Sequence, residues 1–345
     1  MSRLQPELAG ESSSLAALFD RWFDQGHLVA AWRASSPEMR RAWSDAVLDP
    51  ARSFLGRPGK HFRARLVTSA WMLAGGDFEQ LPAGLPLVIE VLHAGSLIVD
   101  DVQDDSEHRR GAPALHREIG VPLAINTGNM LYCWSLDLLS KLALPPAIEL
   151  ELHRRMAHAM LLCHQGQALD LSVNAFTASQ AAMPAFVRAT TALKAGCLMQ
   201  LAAAFGAIAA GGKGERVVAL ATFGEQLGNG LQMLDDLGSL CCERRTAKAL
   251  EDLRLARPTW IWGWLADDLM PSAFARLQQR AAKAAHAGAC EQLLPELRML
   301  LAGRGRARVR EHLGSALQAL REALGPSASL LALQQEIERL EQSYG

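Results

Sequence analysis

The chain has 345 residues, of which 50% are apolar and 21% charged, and 35 basic against 36 acidic side chains leave a net charge of −1. This apolar content excludes a disordered chain, which lacks the apolar surface whose burial offsets chain entropy. The balanced charge argues against a nucleic-acid-binding protein, because such a protein needs a basic surplus to neutralise phosphates. At about 150 residues per domain, length alone suggests two domains.

Helical periodicity dominates the sequence. Apolar residues recur every three or four positions, as in Leu152, Met156 and Met160, which is typical of amphipathic helices. Alternating runs of the β type are scarce, and pairs such as Gly75–Gly76 and Pro145–Pro146 stand where helices would end. The sequence therefore predicts an all-α protein.

No long Ser-, Gly- or Pro-rich linker divides the chain. We therefore predict one helical bundle domain over residues 1–345, built around a central cavity. Within it we expect a flexible segment at 1–30 and a motif-bearing core at about 55–265. The more charged residues 266–345 are predicted to form outer C-terminal helices.

Two features bear on the compartment. Residues Met1 to Leu18 lack the basic start and apolar core of a secretory signal. The stretch from Ala195 to Gly212 carries no charge for 18 residues, near the length that spans a bilayer, but it is rich in alanine and glycine and contains Gln200. We expect a buried helix there rather than a membrane anchor, in a cytoplasmic protein whose six scattered cysteines are reduced.

The first acidic cluster contains Asp100, Asp101 and Asp104, directly after the apolar run Leu87–Ile98. On a helix Asp100 and Asp104 lie one turn apart on one face, with Asp101 beside them. Because like charges on an apolar helix repel, a cation must hold them together, and ligands that are all oxygen suit Mg²⁺. The alternative is a solvated patch at a helix end, but the apolar run favours a metal site.

A second acidic pair, Asp235 and Asp236, begins 135 residues after Asp100. It also interrupts an apolar helical run, which is costly unless the charges are compensated. Two such clusters that faced each other across a bundle could hold a metal-bound diphosphate. The pattern therefore predicts a diphosphate-binding enzyme.

Five motifs between Gly59 and Thr259 resemble those of the trans-isoprenyl diphosphate synthases, the all-α family that includes farnesyl and geranylgeranyl diphosphate synthases. The resemblance implies an isoprenoid-synthase fold and a prenyltransferase that uses Mg²⁺, with three ions around the bound diphosphate. It implies an allylic prenyl diphosphate and isopentenyl diphosphate as substrates, and no nucleic-acid partner. The family is usually dimeric, so we expect a homodimer.

The resemblance also implies roles for single residues. Isopentenyl diphosphate would be bound by Gly59, Lys60, Arg63, His93 and Arg110. The allylic diphosphate would be bound by Arg109 and Lys194, and further substrate-binding residues would be Gln167, Gln232 and Arg257. The metal ligands would be Asp100, Asp101, Asp104, Asp170, Asp235 and Asp236. All of these acids except Asp170, together with Lys194, are the predicted catalytic residues.

The implied reaction needs no nucleophilic side chain. Metal ions, with Arg109 and Lys194, would neutralise the allylic diphosphate so that it leaves. The allylic cation would form in an apolar, water-free cavity, and the double bond of isopentenyl diphosphate would attack it. Loss of a proton would complete the addition of one C5 unit.

The second motif departs from the family pattern, because Ser239 replaces its third aspartate. Asp235, Ser239 and Glu243 are spaced four apart, which also fits the second metal motif of class I terpene synthases. On one helix these three side chains would share a face. Ser239 and Glu243 are therefore further candidate metal ligands.

Two alternatives to chain elongation stay open. A terpene synthase on the same fold would ionise one substrate and cyclise it, with Trp134, Trp260, Trp262 and Trp264 as candidates to stabilise the cation. A non-catalytic partner subunit would account for the altered second motif. Elongation is favoured because the predicted site for isopentenyl diphosphate is complete, and a terpene synthase would not need it.

Product length is predicted from the residues before the first motif. In the resembling family, bulky residues four and five positions before the first aspartate stop chain growth early. Here those positions are Ser96 and Gly95, which are both small. We expect them to form an open cavity floor and allow products of C20 or longer, unless Tyr132 or Trp134 closes the cavity.

Overall fold

The computed structural model describes residues 15–17, 19–20, 36–301 and 303–344. The flexibility predicted for 1–30 concerns a segment that lies almost wholly outside the described residues. Of its described side chains, Phe19 is buried and packs edge-on against Trp134, with ring centroids 5.2 Å apart.

The chain divides into two compact units. Unit 1 comprises Met1–Arg65 and Pro82–Pro145, and unit 2 comprises Leu66–Leu81 and Pro146–Gly345. Most described residues of both units are helical and the strands are only two residues long each, so the all-α class predicted from periodicity is confirmed. The single domain over 1–345 stays a prediction.

Unit 1 is built from short and long helices and one hairpin. Its α-helices are α1 (Pro37–Trp43), α2 (Asp49–Leu55), the start of α3 (Phe62–Leu73), α4 (Leu85–Asp104), α5 (Leu115–Ile119) and α6 (Val121–Ser140). A π-helical turn, Ser44–Leu48, joins α1 to α2. The antiparallel strands β1 (His108–Arg109) and β2 (Ala112–Pro113) form a hairpin after α4.

Unit 2 continues from α3 as a larger set of helices. Its further α-helices are α7 (Pro146–Ser172), α8 (Met183–Thr191), α9 (Cys197–Ala209), α10 (Glu215–Cys241), α11 (Thr246–Arg254), α12 (Trp260–Asp268), α13 (Pro271–His286), α14 (Leu294–Leu301), α15 (Arg304–Leu324) and α16 (Ala328–Ser343). A π-helical segment, Ala192–Gly196, joins α8 to α9. Short 3₁₀ turns lie at Phe78–Gln80, Glu243–Arg245 and Cys290–Leu293.

In unit 1, α4 and α6 cross at two glycines. A Cβ on Gly95 of α4 would lie 2.8 Å from the carbonyl oxygen of Gly128 on α6. A Cβ on Gly128 would lie 2.8 Å from the side chain of Val99. The two backbones are therefore in contact, and this contact holds the aspartate-bearing end of α4 in place.

In unit 2, α9 is the buried helix that the uncharged stretch predicts. Every residue of α9 except Gln200 is buried. Helix α10 packs on it through glycines: a Cβ on Gly224 would lie 2.5 Å from the carbonyl oxygen of Met199. By length and composition the segment Met183–Ala209 would suffice to cross a membrane, but 72% of its most apolar window is buried inside the protein. The prediction of a core helix is confirmed.

The predicted C-terminal helices are present as α13 to α16. The longest of them, α15, is amphipathic and buries Val309, Leu313 and Leu320 along one face. Leu313 occupies the space that a side chain at Gly230 of α10 would need. Helix α15 therefore covers the part of α10 that precedes the second acidic pair.

Candidate active site

The first acidic motif lies at the C-terminal end of α4. Asp100 and Asp104 are half-buried and one helical turn apart, as predicted. The helix stops at Asp105, which takes a left-handed conformation with φ of 54°. The β1–β2 hairpin then returns the chain towards the helix end and brings Arg109 back to the aspartates.

Asp101 has a different role from its two neighbours. Its side chain is fully buried, and Arg109 donates to Oδ1 through Nε at 2.7 Å and also through Nη2. Burial raises the pKa of Asp101, and the charge of Arg109 opposes that rise. In this structure the carboxylate of Asp101 binds Arg109 and is closed to solvent, and its role as a metal ligand stays a prediction.

The donor set of Asp100 and Asp104 fits Mg²⁺. Two carboxylates on one face of a helix supply the hard oxygen ligands that this ion prefers, and Mg²⁺ usually completes its shell with water and substrate phosphates. Among the described residues, no group of three or more His, Cys, Asp or Glu side chains is arranged as a metal site. An ion held here would therefore take its remaining ligands from substrate and water.

A cationic pocket forms around the N-terminal end of α3. The guanidinium of Arg110 lies against Gly59, where a Cβ would be 3.2 Å from Cζ. Burial lowers the pKa of His93 well below its usual value, and the charges of Arg63 and Arg110 lower it further. His93 is therefore neutral at neutral pH. The structure brings these four predicted residues together, next to Lys60.

One buried acid in this pocket escapes sequence reasoning. Glu90 of α4 is 2% exposed, and its Oε1 accepts a hydrogen bond from the backbone N–H of Ala64 at 3.0 Å. Its Oε2 lies 3.4 Å from Nδ1 of His61. The sequence does set this residue apart, since Glu90 is the one acid inside the apolar run before the first motif. It anchors the start of α3, and so the neighbouring Arg63.

In unit 2, Lys194 lies in the π-helical segment between α8 and α9. Its Nζ donates to Oδ2 of Asp170 at 2.6 Å. Gly166 lets α7 approach this segment, because a Cβ there would lie 2.7 Å from Leu193. Arg257 is buried and donates to the backbone carbonyl of Asp170 at 2.6 Å. Arg257 thus anchors the end of α7 that carries Asp170, and substrate binding by Arg257 stays a prediction.

In the second acidic motif, Asp236 is buried and both of its carboxylate oxygens accept hydrogen bonds. Gln232 donates to Oδ1 at 2.8 Å, and the backbone N–H of Trp260 donates to Oδ2 at 2.8 Å. Burial raises the pKa of Asp236 to about 6. Asp236 therefore caps α12 and Gln232 supports it, while metal binding by Asp236 and substrate binding by Gln232 stay predictions.

Asp235 is held by two cations that sequence reasoning missed. Arg245 pairs with its Oδ1 and Lys248 with its Oδ2. Burial alone would raise the pKa of Asp235, but Lys248 and Arg245 lower it to about 2. Burial also disfavours the charge of Lys248, yet Asp235 and Asp252 keep the pKa of Lys248 above its usual value. In the sequence these two residues are indicated only by their spacing, since Arg245 and Lys248 lie three positions apart shortly after the end of α10.

Comparison with known proteins agrees with this geometry. A model of the polyprenyl synthetase family matches residues 44–294. The chain belongs to the polyprenyl synthetase family. This match includes both acidic motifs and the cationic pocket, as well as Lys194.

Several named relatives of this chain are geranylgeranyl pyrophosphate or diphosphate synthases. The enzyme of Eremothecium gossypii is 37% identical over 142 residues, which are 41% of this chain and 42% of the fungal protein. That of Sulfolobus acidocaldarius is 30% identical over 208 residues, which are 58% of this chain and 61% of the archaeal protein. The chain thus spans less than two thirds of the length of these relatives.

Solved structures share the fold over nearly the whole chain. Geranylgeranyl pyrophosphate synthetase from Pyrococcus horikoshii has a TM-score of 0.74 at 20% identity and covers 98% of this chain and 97% of its own. Heptaprenyl diphosphate synthase from Staphylococcus aureus has a TM-score of 0.74 at 18% identity, with 97% and 98% covered. The isoprenoid-synthase fold predicted from the motifs is confirmed.

The three residues of the terpene-synthase motif do not lie on one helix face in this chain. Helix α10 ends at Cys241, so Glu243 lies in the following 3₁₀ turn, where it is exposed and off the face of Asp235. Ser239 is 2% exposed, and its hydroxyl donates to the backbone carbonyl of Asp236 at 2.7 Å. This geometry does not favour metal binding by Ser239 and Glu243, which stays a prediction.

The tryptophans considered as cation-stabilising groups are core residues. Trp262 is 1% exposed, with Phe176 and Phe274 packed edge-on against it at centroid distances of 5.4 and 6.1 Å. Trp260 and Trp264 are buried and contact each other at 5.8 Å. Trp134 is buried against Phe19, as described above. The features that suggested a terpene synthase are thus accounted for by packing.

Gly95 is not part of an open cavity floor. Its Cβ position is filled by the backbone of Gly128 and by Tyr132, whose Cδ1 is 3.2 Å away. The prediction that Gly95 leaves room for product is wrong, because the small residue serves the α4–α6 crossing. Ser96 is half-buried, and its hydroxyl donates to the carbonyl of His93 at 2.8 Å. It remains a candidate floor residue.

We expect Arg109→Gln to lower the free energy of unfolding by about 2–3 kcal/mol, because it leaves the buried Asp101 carboxylate without its partner. Urea denaturation measures this. Arg117→Gln is the matched control: Arg117 pairs with the exposed Asp105 and Glu107, so less than about 1 kcal/mol should be lost. Equal losses in the two variants would contradict the structural role of Asp101.

Proposed function

We propose that this polyprenyl synthetase is a Mg²⁺-dependent prenyltransferase that joins an allylic prenyl diphosphate to isopentenyl diphosphate. Its product would be an all-trans prenyl diphosphate of C20 or longer. The observation that carries the proposal is the cationic pocket of unit 1, where the guanidinium of Arg110 lies against Gly59 and the charges of Arg63 and Arg110 act on His93. A terpene synthase needs no second diphosphate, so this pocket favours chain elongation.

The pocket is suited to a diphosphate because it gathers several cationic side chains. Burial and the nearby guanidiniums of Arg63 and Arg109 lower the pKa of Arg110, which reports the crowding of positive charge, although a guanidinium stays protonated. Glu90 is the buried anion facing this group, and it is already engaged with the backbone of Ala64. A diphosphate would relieve the repulsion and accept charge-assisted hydrogen bonds from the guanidiniums.

The allylic diphosphate is proposed to bind where Asp100 and Asp104 hold Mg²⁺. When bound, the ion supplies positive charge that makes the diphosphate a better leaving group. Within unit 2, Lys194 is a further candidate to bind diphosphate, and Asp170 keeps its ammonium in place. The allylic C–O bond breaks, a C–C bond to isopentenyl diphosphate forms, and a proton is lost, with the hydrocarbon chain in the predicted cavity.

Incubation of the full chain with Mg²⁺, isopentenyl diphosphate and allylic diphosphates of C5, C10 or C15 tests this function. We expect mass spectrometry to find prenyl diphosphates longer than each allylic substrate by whole C5 units, up to C20 or beyond. A hydrocarbon or alcohol formed from the C15 substrate alone, with no incorporation of isopentenyl diphosphate, would identify a terpene synthase. Absence of turnover would favour a partner subunit.

Arg110→Gln should raise the KM for isopentenyl diphosphate by about 10-fold or more, because a hydrogen bond between charged groups contributes about 1.5–3 kcal/mol. The KM for the allylic substrate should change much less. Steady-state kinetics with each substrate varied in turn measures the difference. Arg41→Gln is the control, because Arg41 is exposed on α1 and pairs with Asp45 one helical turn away. Equal changes in both KM values would contradict the assignment.

A homodimer and a cytoplasmic location belong to the same proposal. Val121, Leu123 and Ile125 at the start of α6 are exposed apolar side chains, which a second copy could cover. Light scattering of the full chain should give twice the chain mass of 37.4 kDa. A mass of one chain at micromolar concentration would rule out the dimer.

A further inference from the structure

The second acidic motif is saturated by donors from the protein itself. Both oxygens of Asp236 accept neutral hydrogen bonds, and both oxygens of Asp235 pair with cationic side chains. Ser239, at the position of the third acid in the related motif, is turned to the helix backbone. A divalent ion at Asp235 would have to displace a resident cation, so this donor set does not fit the metal that the sequence predicts.

Arg245 is held at Asp235 by two further features. Gly238 makes room for it, since a Cβ there would lie 2.7 Å from Nη1 of Arg245. On another side the ring of Tyr344, which follows α16, lies 4.9 Å from the guanidinium carbon in a cation–π contact. The guanidinium stays protonated at any physiological pH. Helix α10 and Tyr344 thus enclose a permanent positive charge.

Lys248 supplies the second cation in the same way. It extends from α11, and Asp235 and Asp252 both favour its charged form. Asp235 is therefore neutralised by one cation from the 3₁₀ turn after α10 and one from the next helix. Replacement of either by Mg²⁺ would bring two like charges together where one carboxylate remains.

We propose that Arg245, positioned by Tyr344, and Lys248 replace a metal ion at Asp235, so that metal binds this chain only at the first acidic motif. The inference rests on the proposed function, because it assumes that Asp100 and Asp104 hold the ions that accompany the diphosphate. It revises the expectation of three ions to a smaller number. In unit 2, positive charge near a diphosphate would then come from protein side chains instead of metal ions.

Counting bound Mn²⁺ tests this inference independently of turnover. The full chain is titrated with Mn²⁺ in the presence of inorganic diphosphate, and free Mn²⁺ is followed by electron paramagnetic resonance. Asp235→Asn should leave the number of bound ions unchanged, whereas Asp100→Asn should lower it. Arg244→Gln, which alters the exposed neighbour of Arg245, is the control, and circular dichroism checks that each variant is folded.

A gain-of-binding variant supplies a second measurement. Arg245→Gln combined with Lys248→Gln should let the chain bind one more Mn²⁺, and adding Asp235→Asn should remove that ion again. Loss of one ion in Asp235→Asn alone would overturn the inference, as would the absence of any gain in the double variant. If Asp100→Asn also keeps every ion, the metal site of the proposed function fails while Asp235 still binds none.

Discussion

Asp100→Asn should lower kcat by about 10³-fold or more, with the chain still folded. Asp100 is half-buried at the end of α4, and with Asp104 it forms the pair of carboxylates that fits Mg²⁺. The amide keeps the shape of the side chain but removes the charge that holds the ion. Removal of one group that stabilises transition-state charge typically costs two to three orders of magnitude, and loss of the ion removes more than one such interaction.

Asp105→Asn is the matched control for this experiment. Asp105 belongs to the same acidic run but is exposed, pairs with Arg117 at 2.7 Å, and has φ of 54°, a conformation that asparagine accepts readily. Its kcat should stay within about twofold of the parent, since no charge at the metal pair is altered. If both variants lost activity equally, the acidic run would act through its general charge, and the assignment of Asp100 would be wrong.

Gly95→Phe should give little folded protein, with the free energy of unfolding lowered by more than about 3 kcal/mol. Its first side-chain atom would be 2.8 Å from the carbonyl oxygen of Gly128, and backbone cannot move aside as a flexible side chain can. Even Gly95→Ala should be destabilised, by about 1–3 kcal/mol. Urea denaturation followed by circular dichroism measures both, and unchanged stability would contradict the α4–α6 crossing.

Ser96→Phe separates product length from folding. Ser96 is the next residue on α4 and is half-buried, so a larger side chain is expected to be tolerated there. If Ser96 lies at the cavity floor, the main product should be shorter by at least one C5 unit. Gly314→Ala is the stability control: no neighbour lies within 4 Å of its Cβ position, so alanine should stabilise α15 by about 0.5–1 kcal/mol.

Much of the fold and part of the site are predictable from local sequence. The three- and four-residue spacing of apolar side chains predicts the helices, because burial of one helical face depends on nearby residues only. The placement of Asp100 and Asp104 one turn apart on the same face of α4 is predictable for the same reason. The buried helix α9 follows from its composition, since a stretch without charge but rich in alanine and glycine suits close packing between helices.

The functions of single side chains within the acidic motifs were not predictable in that way. Asp101 differs from Asp100 only in the face that it presents, yet it is buried and paired with Arg109. Asp236 caps α12 because the backbone N–H of Trp260, 24 residues further on, reaches it. Such partners come from elements whose approach depends on the packing of the whole unit.

The sequence by itself determined the helical fold class, the family motifs and the positions of the charged residues. The tertiary structure decided which partners within the protein those charged side chains have. It placed Gly95 at the crossing of α4 and α6, and it ended α10 before Glu243. It also placed Arg245 and Lys248 on Asp235. The reason is physical: helix formation depends on residues within a turn or two, whereas the occupancy of a carboxylate depends on donors that only folding brings within hydrogen-bond distance.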